Sequence, residues 1–446
     1  MSDKISIGSK CNNKLVIETI LSVAKKCSIP EAVKSIVSQK ENSMYIPWSE
    51  LAMSSGYPSL CMLYGELDNM YPNDGWDLIG HTYMVKIQKL INENGVNSIS
   101  TFSGLAGIGY AARALSRDGE RYQNFIRSIN NILINYVDKH MDEIEKKIEL
   151  GNYISDYDVI EGLTGIGRYL LLFKDHNAAY RILTKILNYL IRLAGNIVIN
   201  NSSIPAWFIP NQNLSIAEER DLYSNGLFNC SLSHGIAGPL ALLSIAYTHE
   251  VRVSGQKEAI IKISDWLISK SDVTDSGIYF SDIISLEDEI NGTKKIKSLR
   301  DSWCYGAPGI LRSLWLASLA IDDAYVAKFS LSGWETLFTV RKSNWGLDSP
   351  TFCHGLSGFF HINNLMIKEN KAVEFLDVQK QLLHQLISSY SDKSPFGFQD
   401  IEFNEQGIYK MNKVGLIDGS TGIALSLIAY VNQRSKTAWD TMFLLN

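Results

Sequence analysis

One short turn recurs seven times along this chain, and no other feature constrains the fold as much. Six copies read "SGLAGIGYAARAL" from Ser103, "EGLTGIGRYLLLF" from Glu161, "HGIAGPLALLSIA" from His234, "YGAPGILRSLWLA" from Tyr305, "HGLSGFFHINNLM" from His354 and "DGSTGIALSLIAY" from Asp418. A seventh, "SGYPSLCMLYGEL" from Ser55, carries Ser59 where the second glycine belongs. The shared form is x-G-x-x-G followed by an apolar run. The first glycines, Gly56 to Gly419, are separated by 48 to 73 residues, so each unit holds more than one helix. Self-similarity on this scale is the mark of repeated supersecondary units that bury their apolar faces against one another.

The runs after the glycines have helical spacing, as in Ile108, Ala111 and Leu115 or Ile310, Leu314 and Ala317. "IALSLIAY" and "PLALLSIAY" are apolar nearly all round, which predicts helices buried on every side. Between them lie longer amphipathic stretches such as "NFIRSINNILINYVDKHMDEIEKKIE", "AAYRILTKILNYLIRLAG" and "AVEFLDVQKQLLHQLISSY". Buried helices alternating with amphipathic ones predict an all-α fold, an α/α toroid of seven inner and seven outer helices, with each glycine turn opening an inner helix. The whole chain, residues 1–446, then forms a single domain. Two stretches break the helical pattern. "GNIVINNSSIPAWFIPNQN" and "SGIYFSDIISLEDEINGTKKIKS" are rich in β-branched and aromatic residues, and the second holds an Asn291–Gly292 turn signal. They predict a small β-containing extension at the rim, drawn from 196–230 and 272–299.

The composition excludes several classes. A net charge of −5 offers no basic footprint for nucleic acid. No apolar run approaches the roughly 20 residues of a membrane span. The opening "MSDKISIGSKCNNKLVIETI" has no uninterrupted apolar core of a secretory signal. Six cysteines (Cys11, Cys27, Cys61, Cys230, Cys304 and Cys353), thinly spread, then indicate reduced thiols in the cytosol and no disulfide framework.

Aligning the turns sorts these cysteines. Before the first glycines stand Ser55, Ser103, Glu161, His234, Tyr305, His354 and Asp418; one place earlier stand Ser54, Phe102, Ile160, Ser233, Cys304, Cys353 and Ile417. Equivalent positions of a closed ring converge on one mouth, so Cys304, Cys353, His354, His234, Tyr305 and Asp418 are expected together. Two thiolates and an imidazole suit one Zn²⁺ with an open fourth position, the catalytic pattern. A rival pair at i, i+4, Cys230 and His234, falls outside the repeat-equivalent position. Cys11, Cys27 and Cys61 read as packing or surface residues. In "SDYDVIEG", Asp156, Asp158 and Glu161 are candidates to orient a histidine or pair with an arginine, or else a helix N-terminal charge cluster. Arg300, four residues before Cys304, reads on its own as a surface ion-pair partner.

The segments "RDSWCYGAPG", "FCHGLSG", "LSHGIAG" and "DYDVIEGLTGIGRYLL", with Trp439 and Phe443 to Leu445 near the end, resemble the lantibiotic cyclases of the lanthionine synthetase C-like family. The resemblance runs from about Leu51 to the C-terminus. It implies a toroid with a small extension and one catalytic zinc, held here by Cys304, Cys353 and His354. It further implies that His234 is the acid/base, with Asp158, Arg300 and Tyr305 beside it in the reaction. The implied reaction adds a peptide cysteine to dehydroalanine or dehydrobutyrine, giving lanthionine or methyllanthionine. The implied substrate is a dehydrated precursor peptide, leader plus core. The implied partners are a dehydratase and an exporter, which would draw a cytoplasmic enzyme to the inner face of the membrane. The residue chemistry agrees. A metal acidifies a bound thiol, and a histidine near neutrality can protonate the α-carbon left behind. Two other readings remain: an α/α-barrel glycoside hydrolase using Asp158, Glu161 or Asp418, and a non-catalytic zinc-dependent thiol or peptide binder on the same fold.

Overall fold

The structure is a computed structural model; it describes residues 2–294, 300–341, 345–370, 373–404 and 407–446, with the side chains of residues 2–12 and 373 left aside. Cys11 and part of the 272–299 segment therefore lie outside what is described. The chain groups into two compact units. One comprises Met1–Ser98, Phe102–Arg127 and Leu347–Trp439; the other comprises Ile99–Thr101, Ser128–Gly346 and Asp440–Asn446.

In the first unit, four helices follow glycine turns: Tyr57–Met70, Leu105–Ala114, Leu356–Asn370 and Ser420–Val431. Ser420–Val431 packs against both Leu356–Asn370 and Tyr57–Met70, and Tyr57–Met70 against Leu105–Ala114. Ser420 to Ala429 are buried without a break, so this helix has no solvent face, as its all-round apolar sequence requires. The amphipathic helices Ser2–Lys26, Trp76–Asn94 and Leu376–Ser388 each cover one of these. A β-hairpin, Asp400–Asn404 with Gly407–Met411, completes the unit. It lies outside the two segments expected to hold strands.

The second unit repeats the scheme. Leu163–Leu171, Ala237–Thr248 and Ala307–Ile321 follow glycine turns and neighbour one another in chain order, backed by Asn177–Leu193, Gln256–Lys270 and Ala324–Thr339. The long helix Gln123–Leu150 is tied to Asn177–Leu193 by Arg181 and Lys185 on Asp138 and by Arg192 on Glu145. The expected β extension is present as short antiparallel pairs. Asn196–Ile199 pairs with Ser202–Pro205, and Asp272–Thr274 with Gly277–Tyr279. Leu227–Asn229 pairs with Ile283–Ser285, joining the two predicted segments. Among the described residues no helix is long and apolar enough to cross a membrane.

The glycines of the turn have a steric cause. At Gly306, φ is +88°, and a Cβ would lie 2.1 Å from the Arg300 carbonyl oxygen. At Gly309 a Cβ would lie 2.4 Å from the Trp303 carbonyl oxygen. The chain curls back onto its own carbonyls six residues earlier, and the helix starts against that curl.

Candidate active site

Three consecutive turns of the second unit gather the first cluster. Asp158 ends a short helix, Ile154–Tyr157, and is 1% exposed. Its Oδ1 accepts from the backbone N–H groups of Glu161 and Gly162 at 2.8 and 2.7 Å. Its Oδ2 lies 2.7 Å from His234 Nδ1. The carboxylate is thus anchored by one oxygen and aims the other at the imidazole, whose side chain keeps 35% of its surface open. Burial presses the His234 pKa down. The hydrogen bond and charge of Asp158, with Cys304 and Glu161 adding, outweigh that, so the pKa is raised.

The next turn stands beside this pair. The Tyr305 ring is 6.3 Å from the His234 ring, tilted by 38°. Burial raises the Tyr305 pKa, so the phenol keeps its proton. Ser233 Oγ donates to the Cys304 carbonyl at 3.3 Å, stitching the histidine turn to the cysteine turn. Cys304 is 6% exposed, and Ser302 Oγ lies 3.3 Å from its sulfur. The loop is rigid. Trp303 is fully buried, donates from Nε1 to the Phe443 carbonyl at 3.0 Å and meets that ring edge-on at 4.8 Å. Asp301 is ion-paired with Arg341, and Gly306 N–H donates to Asp282 Oδ1 at 3.0 Å. Arg300 is half-buried, with its carbonyl behind Gly306.

The other candidates separate clearly. Asp156 pairs with Lys147 at 2.5 Å and accepts from Tyr153 N–H at 2.8 Å, a capping role. Residues 230 to 236 form a turn, so Cys230 and His234 lack the helical i, i+4 relation. Burial raises the thiol pKa values of Cys27, Cys61 and Cys230, which are packed as neutral groups. Glu219, on the short helix Ala217–Leu222, was not singled out by sequence. Burial raises its carboxyl, and the His234 charge opposes that.

The first unit holds Cys353 and His354. Cys353 N–H donates to the Ile417 carbonyl at 2.8 Å. His354 Nε2 sits 3.2 Å from Asp400 Oδ1 and 2.9 Å from Glu402 Oε1. Ser349 Oγ donates to the same Asp400 oxygen at 2.9 Å. Lys413, 6% exposed, lies 3.1 Å from both Asp400 Oδ2 and Asp418 Oδ2. Burial pushes the Asp418 carboxyl up to about 6 against the pull of Lys413. Asp418 is therefore a buried partner of a lysine. Asp400 and Glu402 escaped the sequence reading, although "DIEFNEQGIYKM" alternates with period two around a short turn, placing both acids on one strand face.

These turns carry the motifs of a single family model, described as lanthionine synthetase C-like protein, which matches residues 47–444. The chain belongs to that family. It is 28% identical over 389 residues to the nisin biosynthesis protein NisC of Lactococcus lactis subsp. lactis, covering 84% of this chain and 89% of that one. The solved structure of a nisin cyclase superposes with a TM-score of 0.76 at 26% identity, covering 93% of this chain and 97% of that chain. The family assignment and the mostly helical architecture agree with the sequence reading.

Proposed function

We propose that this lanthionine synthetase C-like protein is a zinc-dependent cyclase that closes lanthionine and methyllanthionine rings in a dehydrated precursor peptide. The fold behind this reading is a single-domain α/α toroid of seven inner and seven outer helices, with 196–230 and 272–299 as its extension. The observation that carries it is the His234–Asp158 pair at 2.7 Å, tied through Ser233 to the Cys304 turn. Such a pair has work to do in a proton transfer and none in simple thiol capture, so it favours a catalyst over a binder. Two of the three carboxylates a glycoside hydrolase would draw on are otherwise engaged, Asp158 with His234 and Asp418 with Lys413, which leaves Glu161 without the second acid such a hydrolase needs.

The donor chemistry of the proposed ligands suits a zinc ion. Cys304, Cys353 and His354 supply two thiolates and an imidazole, the donors zinc prefers. The Ser302 hydroxyl at 3.3 Å suits an anionic sulfur at Cys304, and the carboxylates at His354 Nε2 are the partners a ligating histidine requires. Zinc, when bound, supplies the charge that keeps the substrate thiol deprotonated at neutral pH.

The protein's own groups do the rest. The new bond forms between the peptide sulfur and the β-carbon of the dehydro residue. The displaced electron pair becomes an enolate, and a proton must reach the α-carbon. His234, held by Asp158 through Nδ1 and with a raised pKa, donates that proton from Nε2; the proton lost by the entering thiol restores it, so the addition is redox-neutral. Tyr305, protonated and beside His234, and Arg300 stabilise the enolate oxygen or hold the peptide. The substrate is leader plus core, and the setting is the cytoplasm, with a dehydratase and an exporter as partners at the membrane.

The test adds purified protein to a dehydrated, cysteine-containing precursor and follows free thiol by alkylation and mass spectrometry. Cys304→Ala is expected to lose both zinc and ring closure; stoichiometric zinc with intact cyclisation would exclude the ligand assignment. His234→Ala is expected to keep zinc and thiol binding and lose cyclisation.

A further inference from the structure

We propose that Asp400 and Glu402 are positioning residues that fix the tautomer and aim of His354, so that the imidazole offers its lone pair from Nδ1. This rests on the reading of His354 as a zinc ligand. Both carboxylates contact Nε2, at 3.2 and 2.9 Å, and both are largely buried, with side chains 1% and 10% exposed. Ionised carboxylates only accept hydrogen bonds, so the ring nitrogen between them carries the proton. The neutral ring then has its lone pair on Nδ1.

The carboxylates are themselves held. The hairpin Asp400–Asn404 with Gly407–Met411 sets both acids on one strand face. Ser349 Oγ bonds Asp400 Oδ1 at 2.9 Å and accepts from Ile401 N–H at 3.2 Å, which fastens the strand to the start of the Cys353–His354 turn. Lys413 closes the other side of Asp400.

The same three residues have an opposite reading. His354, Asp400 and Glu402 present one donor atom each within 4.8 Å, a spacing at which they would themselves surround a cation. The charge balance speaks against it. The Lys413 ammonium already serves Asp400 and Asp418 in a buried setting, and a divalent ion on Asp400 would stand close to it where screening is weak.

The experiment measures zinc stoichiometry and affinity by chelator competition on the full-length protein. Glu402→Leu is the primary variant, because Asp400 also pairs with Lys413. Loss of an outer partner of a ligating histidine weakens metal binding by roughly 10–100-fold. Glu402→Leu is expected in that range and Glu402→Gln, which still offers an accepting oxygen, close to wild type. The cobalt-substituted Glu402→Leu protein is expected to keep its thiolate-to-metal absorption while its ligand-field bands shift. If His354→Ala weakens zinc but Glu402→Leu and Asp400→Ala bind within about twofold of wild type, the inference is overturned and the ligand assignment stands. If His354→Ala binds zinc as the wild type does, the ligand assignment falls first. If Glu402→Leu abolishes binding while Cys304→Ala and Cys353→Ala retain it, the carboxylates are ligands and the inference is wrong.

Discussion

Asp158→Asn is the most informative single change, because the structure fixes what the new amide must do. In the native protein, Asp158 Oδ1 accepts from two backbone N–H groups at 2.8 and 2.7 Å. An asparagine can satisfy both only by turning its own oxygen toward them. Its NH₂ then faces His234 Nδ1, where a carboxylate stood at 2.7 Å. A donor opposite Nδ1 forbids a proton there, so the ring is held neutral with its proton on Nε2. Neutral imidazole is a far weaker acid than imidazolium, and the α-carbon must wait for its proton. Positioned general acid–base catalysis contributes about 10²–10⁴-fold, or roughly 2.7–5.4 kcal/mol at 1.36 kcal/mol per factor of ten. Ring closure should slow by that amount while zinc content is unchanged. The pH dependence must move as well. Burial lowers the His234 pKa and Asp158 is the main group raising it, so the loss of the Asp158 charge lets the pKa fall. Activity that needs the protonated ring is lost as pH rises through that pKa, and in the variant this limb shifts to lower pH. Stability follows the same sign. The native His234 contribution is full below the unfolded-state pKa and disappears as pH rises through the folded one, so the stability that Asp158→Asn costs should be larger at about pH 5 than at about pH 9. The assay is free-thiol loss from a dehydrated precursor, run as a pH series. Cyclisation within about threefold of wild type, with an unmoved pH limb, would refute the proton-donor role of His234.

Three other outcomes test the framework that holds the site. Gly306→Ala forces a side chain onto a φ of +88° and a Cβ to 2.1 Å from the Arg300 carbonyl oxygen. It should cost at least about 2 kcal/mol in urea denaturation. Lys413→Met strands the buried Asp400 and Asp418 carboxylates and should cost about 3–5 kcal/mol at neutral pH. Removing the ammonium raises those carboxyl pKa values, so the deficit should shrink as pH falls toward the acid range, which a denaturation series at several pH values reads directly. Arg312→Met removes a fully buried guanidinium whose Nε donates to the Leu445 carbonyl at 2.8 Å. Its cost should be roughly 1.5–3 kcal/mol, measured by thermal or chemical unfolding.

What the sequence revealed and what it hid divide along a physical line. The turn repeat was legible because its cause is local. A backbone that curls onto its own carbonyls six residues back excludes Cβ, as it does at Gly56, Gly165, Gly235, Gly306, Gly309, Gly355 and Gly422, and the glycines of the repeat print that constraint in the sequence. The all-round apolar helices were legible for a similar reason: burial on every side leaves no polar position to interrupt the run. The alignment of turns then singled out His234, Tyr305, Cys304, Cys353, His354 and Asp418, since position within a repeat is a spatial statement made in sequence; Asp418 is paired with the buried Lys413. Asp158 was one of three acids in "SDYDVIEG", and only the structure separates it from Asp156. Both accept backbone N–H groups, but Asp156 turns to Lys147 while Asp158 spends its second oxygen on His234. Asp400, Glu402 and Lys413 were not found because nothing local requires them. Glu402 is 48 residues from His354 in the chain, and its role arises where a hairpin outside the repeat returns to a turn inside it. Groups that act on a repeat from outside its period leave no trace in that period. A second alternation, the period-two pattern of "DIEFNEQGIYKM", was the one available sign, and its meaning depended on which side of the strand His354 would meet.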